Sequence, residues 1–221
     1  RLMGKVKVLI IDEAQKIKDI GWILKLMVDE LDGIKIIATG SAAFDLANKM
    51  GEPLTGRKSS FQMFPLAQME YAEFENYHQT LSNLEERLVF GSYPEISHLE
   101  SNSEKEDYLR DLMNSYLLKD ILEYEGIRNS SKLYDLLRLI AFQIGKEVSN
   151  DELGRNLGMS KNTVERYLDL LSKVFVIFKV QGFSRNLRKE IVKNSRWYFY
   201  DNGIRNALIA NFNPIKLRND I

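Results

Sequence analysis

No cysteine occurs in the 221 residues. Disulfide frameworks, thiolate zinc sites and cysteine nucleophiles are therefore excluded, and nothing asks for an oxidising compartment. An intracellular, cytoplasmic protein is expected. Long hydrophobic runs are also missing. Stretches such as Val8-Leu9-Ile10-Ile11 and Val174 to Phe178 fall far short of the roughly 18 residues that a membrane span needs, and no signal peptide precedes them, so no membrane partner is expected. Histidine is scarce: His78 and His98 lie in polar surroundings with no second histidine at ligand spacing, and both read as surface residues. There is no G-x-S-x-G elbow and no H-E-x-x-H helix, which leaves hydrolase chemistry of those kinds unsupported.

Net charge is the remaining absence. The 31 basic and 31 acidic side chains cancel, which by itself argues against a nucleic-acid partner. The cancellation is regional. Residues 1–84 carry 10 basic and 11 acidic groups, residues 85–125 carry 4 and 11, and residues 126–221 carry 17 and 9, or −1, −7 and +8. At 44% hydrophobic and 28% charged the chain is an ordinary folded protein, with no disorder or low complexity and room for one large domain or two small ones.

Lys5 to Ile11 alternates and then turns wholly apolar, the pattern of a strand buried on both faces of a parallel sheet. It ends at Asp12-Glu13. Apolar residues at helical spacing predict a helix over Gln15 to Leu31, stopped at Gly33, and a second buried strand follows from Ile34 to Ala38. Strand, helix and strand make a right-handed crossover, so both strand ends meet at one sheet edge, where α/β proteins bind ligands. A short helix at 42–50, a loop from Gly51 to Lys58 and a third short strand from Ser59 to Phe64 are expected next. The middle block reads as helical from Tyr108 onward, with Leu109, Leu112, Met113, Tyr116, Leu117, Ile121 and Tyr124 on one face and loops at Gly91 to Pro94 and Glu100 to Asp107.

A helix at 130–144 opens the last third, with a boundary near Gly126. Asp151 to Leu157 forms a short helix, Gly158 a turn, and Ser160 caps a longer helix with Val164, Tyr167, Leu168 and Leu171 inward. Small Gly154 lets the two helices approach. Strands at Val174 to Phe183 and Arg196 to Tyr200 follow. The expected architecture is an α/β part with a partial parallel P-loop sheet over residues 1–66, a helical connector over 67–126 and a winged helix-turn-helix domain over 127–221.

Val8 to Glu13 has the form of a Walker B element: a buried strand delivers two carboxylates, Asp12 to hold magnesium and Glu13 to activate water against a phosphate. The same residues also suit a helix cap and its dipole. Thr39 and Ser41 end the neighbouring strand, where small hydroxyls can sense a terminal phosphate, although Thr-Gly-Ser is also ordinary turn chemistry. Arg57 after Gly56 is a candidate for transition-state charge or a solvated loop residue. The G-x-x-x-x-G-K-[ST] loop that cradles phosphates is absent from these residues. The chain alone is thus expected to bind ATP poorly and to be inactive as an ATP hydrolase, as a fragment of a longer protein would be.

The second helix of the helix-turn-helix begins Ser160-Lys161-Asn162-Thr163 and continues to Arg166, the part that meets DNA in such motifs. Between the last two strands Arg185, Arg188, Lys189, Lys193 and Arg196 face one acid, Glu190, a net of +4 suited to backbone phosphates. Glu165 and Asp169 oppose that reading, and packing against the ATPase core or a sister subunit is the structural alternative.

Taken together, Val8 to Gln15, Ala38 to Ser41, Thr55-Gly56-Arg57, Phe64-Pro65-Leu66, Gly91 to Glu95, Tyr116 to Ile121, Ser160 to Leu171 and Tyr198 to Gly203 resemble prokaryotic AAA-type ATP-binding proteins whose C-terminal half is of unknown function. The resemblance covers nearly the whole chain. It implies a P-loop strand upstream of Arg1, a nuclease-like fold often following the winged helix, and ATP and Mg as ligands of the full-length protein. It further implies Asp12 as metal ligand, Glu13 as base, Thr39 or Ser41 as sensor and Arg57 as a finger. The expected function is the C-terminal portion of an AAA-type ATPase coupled to a winged-helix DNA- or protein-binding module. Its alternatives are a non-enzymatic DNA-binding regulator with an α/β scaffold and a winged helix serving protein partners or homo-oligomers, for which the acidic block at 85–125 is a docking candidate.

Overall fold

The computed structural model describes residues 7–40, 54, 56–114, 130–182 and 195–220. They fall into two compact units, Arg1–Met63 and Phe64–Ile221. The short helix expected at 42–50, the continuation of the middle helix through Tyr116, Leu117, Ile121 and Tyr124, and the basic stretch 183–194 lie outside the described residues.

In the first unit, β1 (Val8–Ile11) pairs in parallel with β2 (Lys35–Ala38), Ile11 opposite Ala38. The crossover carries α1 (Ile20–Glu30). Its N-terminal part is not the continuous helix expected from Gln15: a single 3₁₀ turn spans Ala14–Lys16, and Ile17 is extended. Asp19 stands at φ 56° before the helix starts. Ala14, Ile20, Leu24 and Leu54 form the buried core beneath Ile11, Ile36 and Ala38. The expectation that β1 is buried on both faces is corrected here, because Val8 and Ile10 are 45% and 64% exposed. Side chains alternate across a strand, so α1 covers only the other face. Residues 59–64, expected as a third strand, are not a strand and are exposed.

The second unit opens with α2 (Gln68–Tyr71), α3 (Tyr77–Phe90) and a 3₁₀ turn at Pro94–His98. α4 (Asn102–Leu112) replaces the loop expected at Glu100 to Asp107. Its start is a capping box: Ser101 accepts from the Glu104 N–H at 3.2 Å while the Glu104 carboxylate accepts from the Ser101 N–H at 2.9 Å. α5 (Ser130–Phe142) is followed by a two-residue strand, β3 (Glu147–Val148). Then come α6 (Asn150–Leu157), α7 (Lys161–Lys173), β4 (Ile177–Val180), β5 (Ser195–Phe199) and α8 (Asn202–Leu208).

α6 and α7 are joined by a tight turn in which Gly158 stands at φ 60°, the left-handed conformation that favours glycine. Ser160 caps α7, its hydroxyl accepting from the Thr163 N–H at 3.1 Å. Val164, Tyr167, Leu168 and Leu171 are buried as their spacing predicts. Gly154 is required for closeness: a Cβ there would lie 2.6 Å from the Met159 carbonyl oxygen. The three strands form an antiparallel sheet in the order β3-β5-β4.

One apolar core joins the 64–114 helices to this part, with Val89, Phe90, Ile96, Leu109, Leu136, Leu171, Ile177 and Leu208 all in it. A polar network is threaded through that core. Asn206 donates to the carbonyls of Leu88 at 3.1 Å and Val89 at 2.7 Å, and Arg205 donates to the Ala141 carbonyl at 2.9 Å. Asp220 closes it, accepting from Arg205 at 2.6 Å and from Arg218 at 2.7 Å. Buried polar groups cost little only when partnered in this way.

Candidate functional site

The parallel register brings the ends of β1 and β2 side by side: the Thr39 N–H donates to the Ile11 carbonyl at 2.9 Å, and the Ala14 N–H to the Thr39 carbonyl at 2.9 Å. These two bonds carry the ladder past the strands, so Asp12 and Thr39 leave it at one level. Their side chains meet, with the Thr39 hydroxyl donating to Asp12 Oδ1. Both residues are exposed, and the pair is open to a ligand at the carboxyl edge.

Glu13 takes another direction. At φ 50° and ψ 42° it is left-handed, uncommon for a residue with a side chain, and it turns the chain into the 3₁₀ segment. Its carboxylate accepts from Gln15 Nε2 at 2.9 Å and pairs with Lys16 Nζ at 3.1 Å. Arg57 sits elsewhere in the unit, ion-paired with Asp29 in the last turn of α1. That helix runs back from the Asp12 edge, and its far end lies toward the start of β2. The structure therefore joins Asp12, Thr39 and, by sequence adjacency, Glu13, but does not bring Arg57 to them; Ser41 lies outside the described residues.

Magnesium binds hard oxygen donors and commonly uses one or two carboxylates plus phosphate and water oxygens. The exposed Asp12 carboxylate and Thr39 hydroxyl are donors of that kind. Among the described residues, no group of three or more His, Cys, Asp or Glu side chains could hold a metal.

On α7 the residues expected to meet DNA are Ser160, Lys161, Asn162, Thr163 and Arg166. Lys161, Asn162, Glu165, Arg166 and Asp169 are exposed. Several charges are answered internally: Lys161 pairs with Asp151 at 3.5 Å, Lys173 with Asp169 at 2.6 Å, and Asn150 donates to Glu165 at 3.2 Å. Arg196 lies exposed on β5, whereas Arg185, Arg188, Lys189 and Lys193 lie outside the described residues.

A second constellation is built from stretches that the family resemblance singled out without a role. Asp201, buried, accepts from the Ser92 N–H at 2.7 Å and the Ile204 N–H at 3.1 Å, capping α8 while gripping the loop after α3. Burial pushes its carboxyl up from the ordinary value, and the backbone donors oppose that rise. Beside it, a cleft of about 310 Å³ is lined by Pro65, Leu66, Arg87, Ser92, Tyr200 and Asn202 among others. Arg87 is bonded to Glu75, which holds that carboxyl below its ordinary value, and stacks over Tyr71 at 3.9 Å. Three blocks far apart in the chain, Phe64 to Leu66, Gly91 to Glu95 and Tyr198 to Gly203, thus converge.

Residues 1–72 match the profile of an AAA domain, so the region holding Asp12, Glu13 and Thr39 is AAA-like. Residues 81–215 match a domain of unknown function, DUF8612. The chain belongs to that family. Its relatives include uncharacterized proteins of Haemophilus influenzae (25% identical, covering 79% of this chain and 46% of the relative) and Methanocaldococcus jannaschii (24%, covering 88% and 47%). One of Mycobacterium tuberculosis is 25% identical over 95% of this chain and 46% of its own length. The chain thus spans about half the length of the curated relatives it matches. No solved structure gives a significant match, and no helix among the described residues is long and apolar enough to cross a membrane.

Proposed function

We propose that this chain is the C-terminal portion of an AAA-type ATPase whose nucleotide state is coupled to a winged-helix module that contacts DNA. The carrying observation is the hydrogen bond from Thr39 to Asp12 at the carboxyl ends of adjacent parallel strands, within a region matching an AAA domain. Asp12 would hold magnesium, which when bound supplies positive charge to the transferring phosphate. Thr39 orients the Asp12 carboxylate by donating to Oδ1. Glu13, turned aside by its left-handed backbone, is the base that would accept a proton from water, and its bonds to Gln15 and Lys16 hold it until substrate arrives.

Support for the winged helix comes from the order α5, β3, α6, α7, β4, β5, in which β4 and β5 pair antiparallel and β3 adds to the sheet on the β5 side. Transmission runs through the core shared by α3 and α8. A reading in which α7 serves a protein partner draws on its own surface, where Lys161 and Lys173 are paired with acids.

The test uses the full-length protein. Glu13→Gln should keep nucleotide bound and lower hydrolysis about a hundredfold or more; unchanged turnover removes Glu13 from the role. A full-length sequence with no G-x-x-x-x-G-K-[ST] loop refutes the ATPase assignment itself.

A further inference from the structure

The β3-β5-β4 sheet has two unlike faces. Ile177, Trp197, Phe199 and Val148 point into the core. Alternation sends Phe178, Tyr198, Val180 and Arg196 outward, with Phe178 opposite Tyr198 and Val180 opposite Arg196 in the register. Tyr200 continues the row, its N–H donating to the Val176 carbonyl at 3.2 Å. None of Phe178, Tyr198 and Tyr200 is in the buried core; all are half-buried.

These rings form one continuous array. Phe178 and Tyr198 stack at 5.7 Å, Phe178 and Tyr200 are 5.0 Å apart, and Tyr200 stacks on Phe64 at 4.9 Å with 14° between planes. Phe175 meets Phe64 and Tyr200 edge-on at 5.8 and 6.0 Å. Its φ of 57° is that of the left-handed residue ending α7, where the Val176 N–H donates to the Leu171 carbonyl at 3.1 Å. Phe64 ends the row 45% exposed. Five aromatic rings thus gather on one face outside the buried core.

We propose that this outer sheet face is a stacking surface for single-stranded nucleic acid. Every base has a flat face that an aromatic ring can accept, and such recognition works without a readable groove. Sheets with surface aromatics stack two or three bases, and the strand rise makes Arg196 to Tyr200 about 13 Å long. The cation described on the aromatic face is Arg196, exposed and with Glu147 opposite it in the ladder, in a region, residues 126–221, that holds 17 basic against 9 acidic side chains. Polynucleotide phosphates match that balance, whereas an apolar peptide would gain nothing from it. The surface differs from α7, whose outward charges are largely paired, so the inference stands if α7 never touches DNA.

The experiment is fluorescence anisotropy of the full chain with a labelled short oligothymidine strand and with a labelled duplex, at two salt concentrations. The single strand is expected to bind more tightly than the duplex, and more weakly in high salt. Tyr198→Ala should weaken it about fivefold or more, Tyr198→Phe should bind as wild type, and Arg196→Glu should weaken it without changing thermal unfolding. A Lys161→Glu, Arg166→Glu double variant should leave it unchanged. Preference for the duplex overturns the proposal, as does retention of affinity in both Tyr198→Ala and Arg196→Glu. Loss of affinity only in the α7 variant overturns it in favour of the recognition helix, and absence of any binding overturns it in favour of a protein partner.

Discussion

Replacing Asp220 by asparagine removes one negative charge from between two guanidinium groups, Arg205 and Arg218, whose side chains are 5% and 1% exposed. Hydrogen bonding from Arg218 and then from Arg205 holds the Asp220 carboxyl down from 3.8 to about 2. A displacement of that size corresponds to about 2 kcal/mol, and to roughly 1–2 kcal/mol once water around the carboxylate screens it. Asparagine retains the shape and one acceptor, so the loss should match the charge term; alanine strands both cations and should cost about 3–5 kcal/mol. Because the folded value is depressed, the stabilisation is complete above 3.8 and disappears as pH falls through about 2. Urea unfolding of the Trp22→Phe protein follows this unit alone, since Trp22 and Trp197 are the two tryptophans and Trp197 is buried in it. The gap between wild type and Asp220→Asn should be constant near neutrality and close in acid. A gap below about 0.5 kcal/mol at neutral pH, or one that persists unchanged at low pH, would refute this account of the network.

Gly203→Ala sets propensity against space. Alanine favours a helix by about 1 kcal/mol, but a Cβ there would lie 2.7 Å from the Phe90 carbonyl carbon. A net loss of roughly 1–3 kcal/mol is expected in the same urea assay, and a stabilised variant would contradict the packing. Ser160→Ala removes the hydroxyl that caps α7 and should cost about 1 kcal/mol; an unchanged denaturation midpoint would show that water replaces it freely.

The elements legible in the sequence are those specified locally. Val8 to Ile11, the spacing of Val164, Tyr167, Leu168 and Leu171, the Gly158 turn and the Ser160 cap each rest on contacts within a few residues. What escaped depends on distant partners. An apolar run does not say which of its faces is covered, and α1 supplies an interior on one side only, leaving Val8 and Ile10 exposed. β3 is too short for periodicity to register, and it exists because β5 pairs with it. The charged segment Glu100 to Asp107 reads as a loop by composition, although Ser101 and Glu104 already spell a capping box. At the candidate site, Asp12 and Thr39 were legible from strand-end position. The Arg57 pairing with Asp29 and the Asp201 grip on Ser92, 109 residues away, were not, since nothing local marks them.

Synthesis order separates the two units. The first unit's long contacts, Asp12 with Thr39 and Asp29 with Arg57, span 27 and 28 positions, so it can close soon after residue 57 emerges. The second cannot: Asn206 reaches back 117 positions to Val89, and the network completes only with Asp220. Loop closure over such separations is slow. Until then, the newly made helix Tyr77–Phe90 has the backbone carbonyls of Leu88 and Val89 without their Asn206 partner and Phe90 without Phe212, the kind of transiently open surface from which off-pathway association starts.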